Sequence, residues 1–246
     1  QIKEVTTYDY LGVKDQSQGN PNLKPSDNYN LDLKWDFNPT PTELISLTAF
    51  YKLIKNPISR IEVASAGGYL SYENIADKAT VAGVEIEIRK NLFVRPVSNA
   101  AHGMNKLSLG LNGSYIYTNA KMPLATVTTG SQLEGAAPWI VNFDLSHNFT
   151  KGERSFVNTL VLNYVSDKIY TIGTQGYQDM MEQGVLTLDF VSQAKLNKHL
   201  SLNLKARNLL NPSYKLSRKA NENGEKVILN DYKKGINISL GVSCTF

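Results

Sequence analysis

Apolar and polar residues alternate along this chain in nine separate stretches. Residues 28–37 show it most cleanly. Tyr29, Leu31, Leu33, Trp35 and Phe37 fall on one face, and Asn30, Asp32, Lys34 and Asp36 on the other. A period of two is that of a β-strand with one apolar and one polar side. Residues 43–54 form the return strand, with Ile45, Leu47, Ala49, Tyr51 and Leu53 together. Residues 80–90 set Val84, Ile86 and Ile88 against Glu85, Glu87 and Arg89. Residues 107–118, 139–149, 156–165, 185–196 and 200–208 repeat the pattern. Residues 235–246 close the chain with Ile236, Ile238, Leu240, Val242, Cys244 and Phe246 on one side.

Length and spacing separate two architectures that alternation leaves open, the soluble sandwich and the membrane barrel. A tilted strand needs about ten residues to cross a bilayer, whereas strands in soluble proteins average about five or six. Nearly every stretch here has the longer length. The connections at residues 38–42, 149–154 and 197–199 are short; those at 55–78, 119–138, 167–184 and 210–227 are long. Antiparallel strands put alternate connections at opposite ends, so one end carries tight turns and the other long loops. Outer-membrane barrels show that division. A turn of undefined shape over residues 91–106 is the exception. Aromatic residues gather near strand ends, among them Trp35, Phe37, Trp139, Phe149, Phe156 and Tyr164, where interfacial girdles form. The fold class expected is all-β, an antiparallel transmembrane β-barrel segment of nine long strands. Residues 1–27 read as an extracellular loop and residues 28–246 as barrel strands.

Composition is compatible with this reading. The 246 residues are 41% hydrophobic and 20% charged, mean hydropathy is -0.28, and the net charge is +4. A barrel exposes only every second strand residue to lipid, so its hydropathy stays low. No basic arm is present, and no nucleic-acid partner is expected. The one cysteine, Cys244, cannot form an internal disulfide and reads as a small hydrophobe facing lipid.

The polar faces carry Asp32, Lys34, Glu85, Glu87, Arg89, Asp189, Lys205 and Arg207, expected to point into a lumen. Asp189 and Lys205 share a face on adjacent strands and could pair. No catalytic set stands out. His102, His147 and His199 lack partners at metal spacing, and Asp179 with Glu182 reads as an ordinary acidic loop. No enzymatic activity, metal or cofactor is expected.

Certain motifs carry a resemblance. Gly19-Asn-Pro-Asn-Leu-Lys-Pro25 followed by the strand from Asp27, then Asn74-Ile-Ala with the run from Ala79 to Glu87, then Arg207-Asn-Leu-Leu-Asn-Pro-Ser-Tyr214, stand in this order. Together they resemble the late barrel of TonB-dependent outer-membrane receptors, in the style of the Bacteroidetes group. Phe246 resembles the terminal aromatic that such barrels present for assembly. The resemblance implies a cell outer membrane location and a larger barrel of about 22 strands with a plugged lumen. It also implies energy-dependent uptake of a scarce ligand, driven by a TonB complex through a plug. Plug and TonB box are absent from this sequence, and an odd, small strand number leaves a barrel open. The chain is therefore expected to be the C-terminal portion of a receptor whose remaining strands close it. Outer-membrane lipid and the remainder of the barrel are the expected partners; a surface lipoprotein stays an open alternative. Glu134, Tyr170, Tyr177 and Tyr214, in the long loops, are the ligand-facing candidates, with plain coverage of the rim as the competing reading. A structural or interaction role in a larger outer-membrane assembly is the alternative function.

Overall fold

The computed structural model describes residues 2–11, 16–63, 69–97, 103–122, 132–174, 176–220 and 224–245. Phe246, the expected assembly signal, lies outside the described residues. The chain opens with one helical turn, α1 (Ile2–Val5), and two short strands, β1 (Asp9–Leu11) and β2 (Gln16–Gln18). Two long strands, β3 (Asp27–Phe37) and β4 (Leu44–Lys55), precede two shorter ones, β5 (Ile58–Val63) and β6 (Tyr69–Asn74). Four long strands follow: β7 (Lys78–Pro96), β8 (Met104–Ala120), β9 (Trp139–Lys151) and β10 (Arg154–Val165). Then come β11 (Lys168–Thr171), β12 (Met180–Glu182), β13 (Val185–Lys195) and β14 (Leu200–Arg207). The last are β15 (Ser213–Lys219), β16 (Lys226–Lys233) and β17 (Asn237–Cys244).

The nine strands expected from alternation assemble into one antiparallel sheet, in the order β3-β4-β7-β8-β9-β10-β13-β14-β17. This sheet is the wall. Its register aligns the apolar faces: Leu33, Ala49, Val84, Tyr115 and Trp139 form one row across five strands. The side chains of these faces point away from any core. Leu31 and Leu240, on the edge strands, are each 71% exposed, and Leu160, on an interior strand, is 41% exposed. The reverse face is polar. Asp36, Ser46, Glu87, Asn112, Asn142, Asn163 and Thr187 form a row along it. Asn142 donates to Asn112 at 3.3 Å, and Asn163 donates to Asn142. A wall with an apolar outside and a hydrogen-bonded polar inside is what a bilayer on one side and water on the other select. Neither edge strand, β3 or β17, has a neighbour beyond it among the described residues.

The turn end is tight. Lys151 pairs with Arg154 around Gly152-Glu153, and Gly152 takes φ 58°, the left-handed conformation that a two-residue hairpin of this kind demands of its first central residue. Over residues 91–96 and 104–106 the structure has ladder where a turn was expected. β7 and β8 stay paired to Pro96 and Met104, through a bulge between Asn91 and Phe93. The bulge explains why alternation stops there. One extra residue inverts the phase, so the even-numbered apolar run of Val84, Ile86 and Ile88 gives way to Phe93 opposite Leu107.

The loop end differs most from what alternation predicts. Its connections hold short strands that form two further sheets, of order β1-β2-β6-β5 and β11-β12-β15-β16. Residues 1–27 contribute α1, β1 and β2, and β2 joins β6 in parallel through Ser17 and Leu70. Residues 210–227 contribute β15, which pairs with β16. The two small sheets form a cap on the wall.

Candidate functional site

The cap holds most of the packed hydrophobic cluster of the described residues, which Ala79 of β7 and Ala120 of β8 complete from the wall. Ile61, Ile75, Ala76, Ala79, Ala120, Leu133, Ile169 and Ile172 bury one another, and Ala120 and Ile172 are 0% and 1% exposed. Burying an isoleucine or leucine of this cluster contributes about 1.5–3 kcal/mol. Backbone ties run through the same place: Ile61 makes an isolated parallel bridge with Ile172, the Ile172 amide donates to Arg60 O at 3.1 Å, and the Gly135 amide donates to Ile169 O at 2.8 Å. The two sheets of the cap are thereby one packed unit.

Two arginine-centred clusters lie against this cluster. In the first, Arg60 donates through Nε and Nη2 to Glu134 Oε1 at 3.2 and 2.9 Å, while its amide donates to Glu134 Oε2 at 2.5 Å. The same guanidinium stands 4.0 Å from the centre of the Tyr170 ring. A planar fork suits a carboxylate on its edge and an aromatic on its face. Burial pushes the Glu134 carboxyl above its ordinary pKa; the hydrogen bonds and charge of Arg60 pull the other way, and burial is the larger effect. In the second cluster Arg218 pairs with Glu62 and lies 5.3 Å from the centre of the Tyr177 ring. Thr174 Oγ1 donates to Glu62 O at 2.6 Å, so that cluster is pinned from both sheets.

Of the four loop candidates, Glu134 and Tyr170 are thus brought together on Arg60, and Tyr177 stands beside Arg218. Tyr214 is apart from them: it stacks on Tyr232 with ring centres 5.5 Å apart, and Lys234 Nζ sits 3.8 Å from its ring centre. Glu134 also borders a cleft of about 580 Å³ with Lys24, Ser26 and Glu4. Arg60, Glu62 and Arg218 were not singled out by sequence reasoning. Their partners lie 74 and 156 residues away, and no local pattern marks them.

The sequence motifs acquire a physical explanation at this end. Asn74 donates to Lys24 O at 3.0 Å and to Asn56 O at 2.9 Å, and accepts from the Lys24 amide at 2.8 Å. Asn20 donates to Tyr72 O at 3.0 Å. Gly19 has no room for a side chain, since a Cβ would come within 2.3 Å of Thr6 O. The first two motifs therefore grip each other across 50 residues of chain. The third works alike: Asn208 and Asn211 take positive φ, Asn208 donates to Gly235 O at 2.7 Å, and the Gly235 amide donates to Asn211 Oδ1 at 3.1 Å. These asparagines end β14 and start β17.

On the polar face of the wall, Glu87 and Arg89 pair at 2.7 Å, and Lys34 pairs with Asp36 at 3.1 Å. Asp32 stands opposite Phe50, Glu85 opposite Thr48 and Ser114, and Arg207 opposite Asn237. Asp189 and Lys205 are out of register. Lys205 stands opposite Val191, while Asp189 accepts from the Asn208 amide at 2.8 Å. Glu87, Arg89, Asn112, Asn142 and Asp144 line a polar cleft of about 650 Å³. Asp144 lies over Gly110, where a Cβ would meet its carboxylate at 2.0 Å. Such a surface can hold water or a polar occupant by hydrogen bonds.

Among the described residues no group of three or more His, Cys, Asp or Glu is placed to hold a metal ion, and no helix is long and apolar enough to cross a membrane. Compared with known families, the chain matches the model described as TonB dependent receptor-like, beta-barrel, over residues 4–209. No curated protein and no solved structure matches it significantly.

Proposed function

The chain belongs to the TonB-dependent receptor β-barrel family, and from that premise we propose that it is the C-terminal barrel portion of a receptor that takes up a scarce ligand. The observation that carries this reading is the nine-stranded sheet with its exposed apolar face and hydrogen-bonded polar face. In this reading the sheet lies in an outer membrane, with the apolar face toward lipid and Asp32, Lys34, Glu85, Glu87, Arg89, Asp189, Lys205 and Arg207 toward a lumen. Two unpaired edges are not tolerated in lipid, which supports further strands of the same receptor closing the barrel between β17 and β3. The tight turns then lie in the periplasm and the cap outside.

In this reading the cap is the wall of the ligand-facing mouth, and the clefts beside Glu134 are where a ligand is first met. Energy reaches the lumen from a TonB complex through a plug. The test is ligand uptake by cells carrying the whole receptor, with and without TonB. Uptake that depends on TonB supports the reading, and uptake indifferent to it overturns it.

One observation favours the alternative, a receptor-like barrel with an interaction role in a larger outer-membrane assembly. Glu134, Tyr170 and Tyr177 are engaged with Arg60 and Arg218 inside the cap, as residues that merely build a rim would be. Under that reading the receptor copurifies with its assembly and imports nothing.

A further inference from the structure

The apolar face of the wall is interrupted by a row of polar residues on three neighbouring strands. On β9 the outward series Val141, Phe143, Leu145 reaches His147 before Phe149; on β10 Tyr164, Leu162, Leu160 reaches Asn158 before Phe156; on β13 Leu186, Leu188, Phe190 reaches Ser192 before Ala194. The register sets these three interruptions in one row, His147 opposite Asn158 and Asn158 opposite Ser192. Leu107 and Leu204 flank the row at either side. A fourth polar residue, Asn105, joins from β8: its Oδ1 lies 2.8 Å from His147 Nε2. Ser192 Oγ donates to Asn158 Oδ1 at 2.7 Å.

Chance scatter would not place three breaks on one row of three neighbouring strands. Nor does mutual hydrogen bonding use up the patch. Each asparagine accepts one described bond through Oδ1, and its amide group still has two N–H donors to offer. Donors left facing hydrocarbon are strongly disfavoured.

Just past the patch lie the Phe149 and Phe156 rings, with centres 6.4 Å apart. Beyond them, at the hairpin tip, Lys151 stands opposite Arg154, while Arg95 stands opposite Asn105 in the same row as the rings. All three cations are exposed; Glu153 at the tip offsets one of them. Two residues along a tilted strand descend about 5 Å in a bilayer. From the tip inward, cation, ring and amide thus follow one another in the order of phosphate, glycerol and ester carbonyl in a phospholipid.

We propose that Asn105, His147, Asn158 and Ser192, with Arg95, Lys151 and Arg154, form a binding site for a glycerophospholipid of the periplasmic leaflet. The cations hold its phosphate and the asparagine amides its ester oxygens, with His147 fixing the Asn105 amide. The site rests on the membrane placement of the wall and is independent of ligand uptake.

The experiment uses the whole receptor purified from outer membranes, with bound phospholipid counted by native mass spectrometry. The wild type should keep phospholipid that the His147→Leu/Asn158→Leu variant loses, with occupancy lower by about tenfold for the loss of an ordinary hydrogen bond or two. Equal retention overturns the proposal. So does a variant that instead loses a copurifying protein or changes its oligomeric state, because the patch is then a protein contact. Delipidated wild type supplies a second measurement that needs no variant. Added phosphatidylglycerol should raise its unfolding temperature, and inorganic phosphate at the same concentration should not. No rise with phosphatidylglycerol, or an equal rise with phosphate, overturns the proposal as well.

Discussion

The cap and the wall use the same apolar side chains in opposite ways. In the cap, Ile61, Leu133, Ile169 and Ile172 turn inward and exclude water, as in any small globular protein. In the wall, Leu31, Leu160, Ile238 and Leu240 turn outward, and what lies behind them is polar. The cap is held by burial and by long-range ion pairs; the wall is held by its ladder, with the bilayer in place of a core. Where the wall has side-chain order of its own, it comes from asparagine amides, Asn112 to Asn142 to Asn163. A substitution should therefore report which region it belongs to by how it fails.

The largest effect is expected from Ile172→Asp. It places an unpaired carboxylate among fully buried neighbours, a cost of more than about 4 kcal/mol. Limited proteolysis should then cleave the cap segments while the barrel keeps its heat-modifiable migration on gels. Loss of both together would show that cap and wall are one cooperative unit.

Next is a pair on one strand of the wall. Leu160→Arg faces lipid midway between Tyr164 and Phe156 and should cost about 2–4 kcal/mol in a bilayer-refolding titration. Val161→Arg, on the reverse face between Asp144 and Asp189, should cost well under half of that. Equal losses would dissolve the distinction between the two faces.

Asn74→Ala removes three bonds to backbone groups of Lys24 and Asn56, and a loss of about 2 kcal/mol follows from leaving them unpaired. Hydrogen exchange should locate the loosening at residues 19–26 and 56–57, with the wall unaffected. The smallest effect is a dependence on pH. Because burial raises the Glu134 pKa above its ordinary 4.5, the folded cap holds the proton more tightly than the unfolded chain. Its stability should fall as pH rises from 4.5 through the raised value, and Glu134→Gln should flatten that slope. A slope of the opposite sign, measured by cap unfolding against pH, would mean that Arg60 outweighs burial.

The wall was legible from residues alone because a two-sided sheet writes its period directly into the chain: Tyr29 to Phe37 needs no partner to be read. The bulge at Asn91 and Phe93 was hidden because it inverts that period. The cap was hidden for a different reason. Its strands are short, and their pairings are distant, as Ser17 with Leu70 and Arg60 with Glu134 show. The four loop candidates were found by their place in the long loops, and three of them do meet arginines, but the arginines themselves carry no mark in sequence. The outward row of His147, Asn158 and Ser192 was visible only as three unrelated lapses in alternation until the register joined them.

The grip between Asn74 and Lys24 also bears on the order of events when the chain is made. Adjacent strands such as β9 and β10 need close a turn of only Gly152 and Glu153, and hairpins of that kind form early. The grip must close 50 residues of chain, and contacts so far apart in sequence form late. Assembly should therefore pass through a stage in which the ribbon is already zipped while its outer end still gapes. At that stage Ile61 and Ile172 are bare to water, and the half-made molecule is most exposed to proteases and to its own kind.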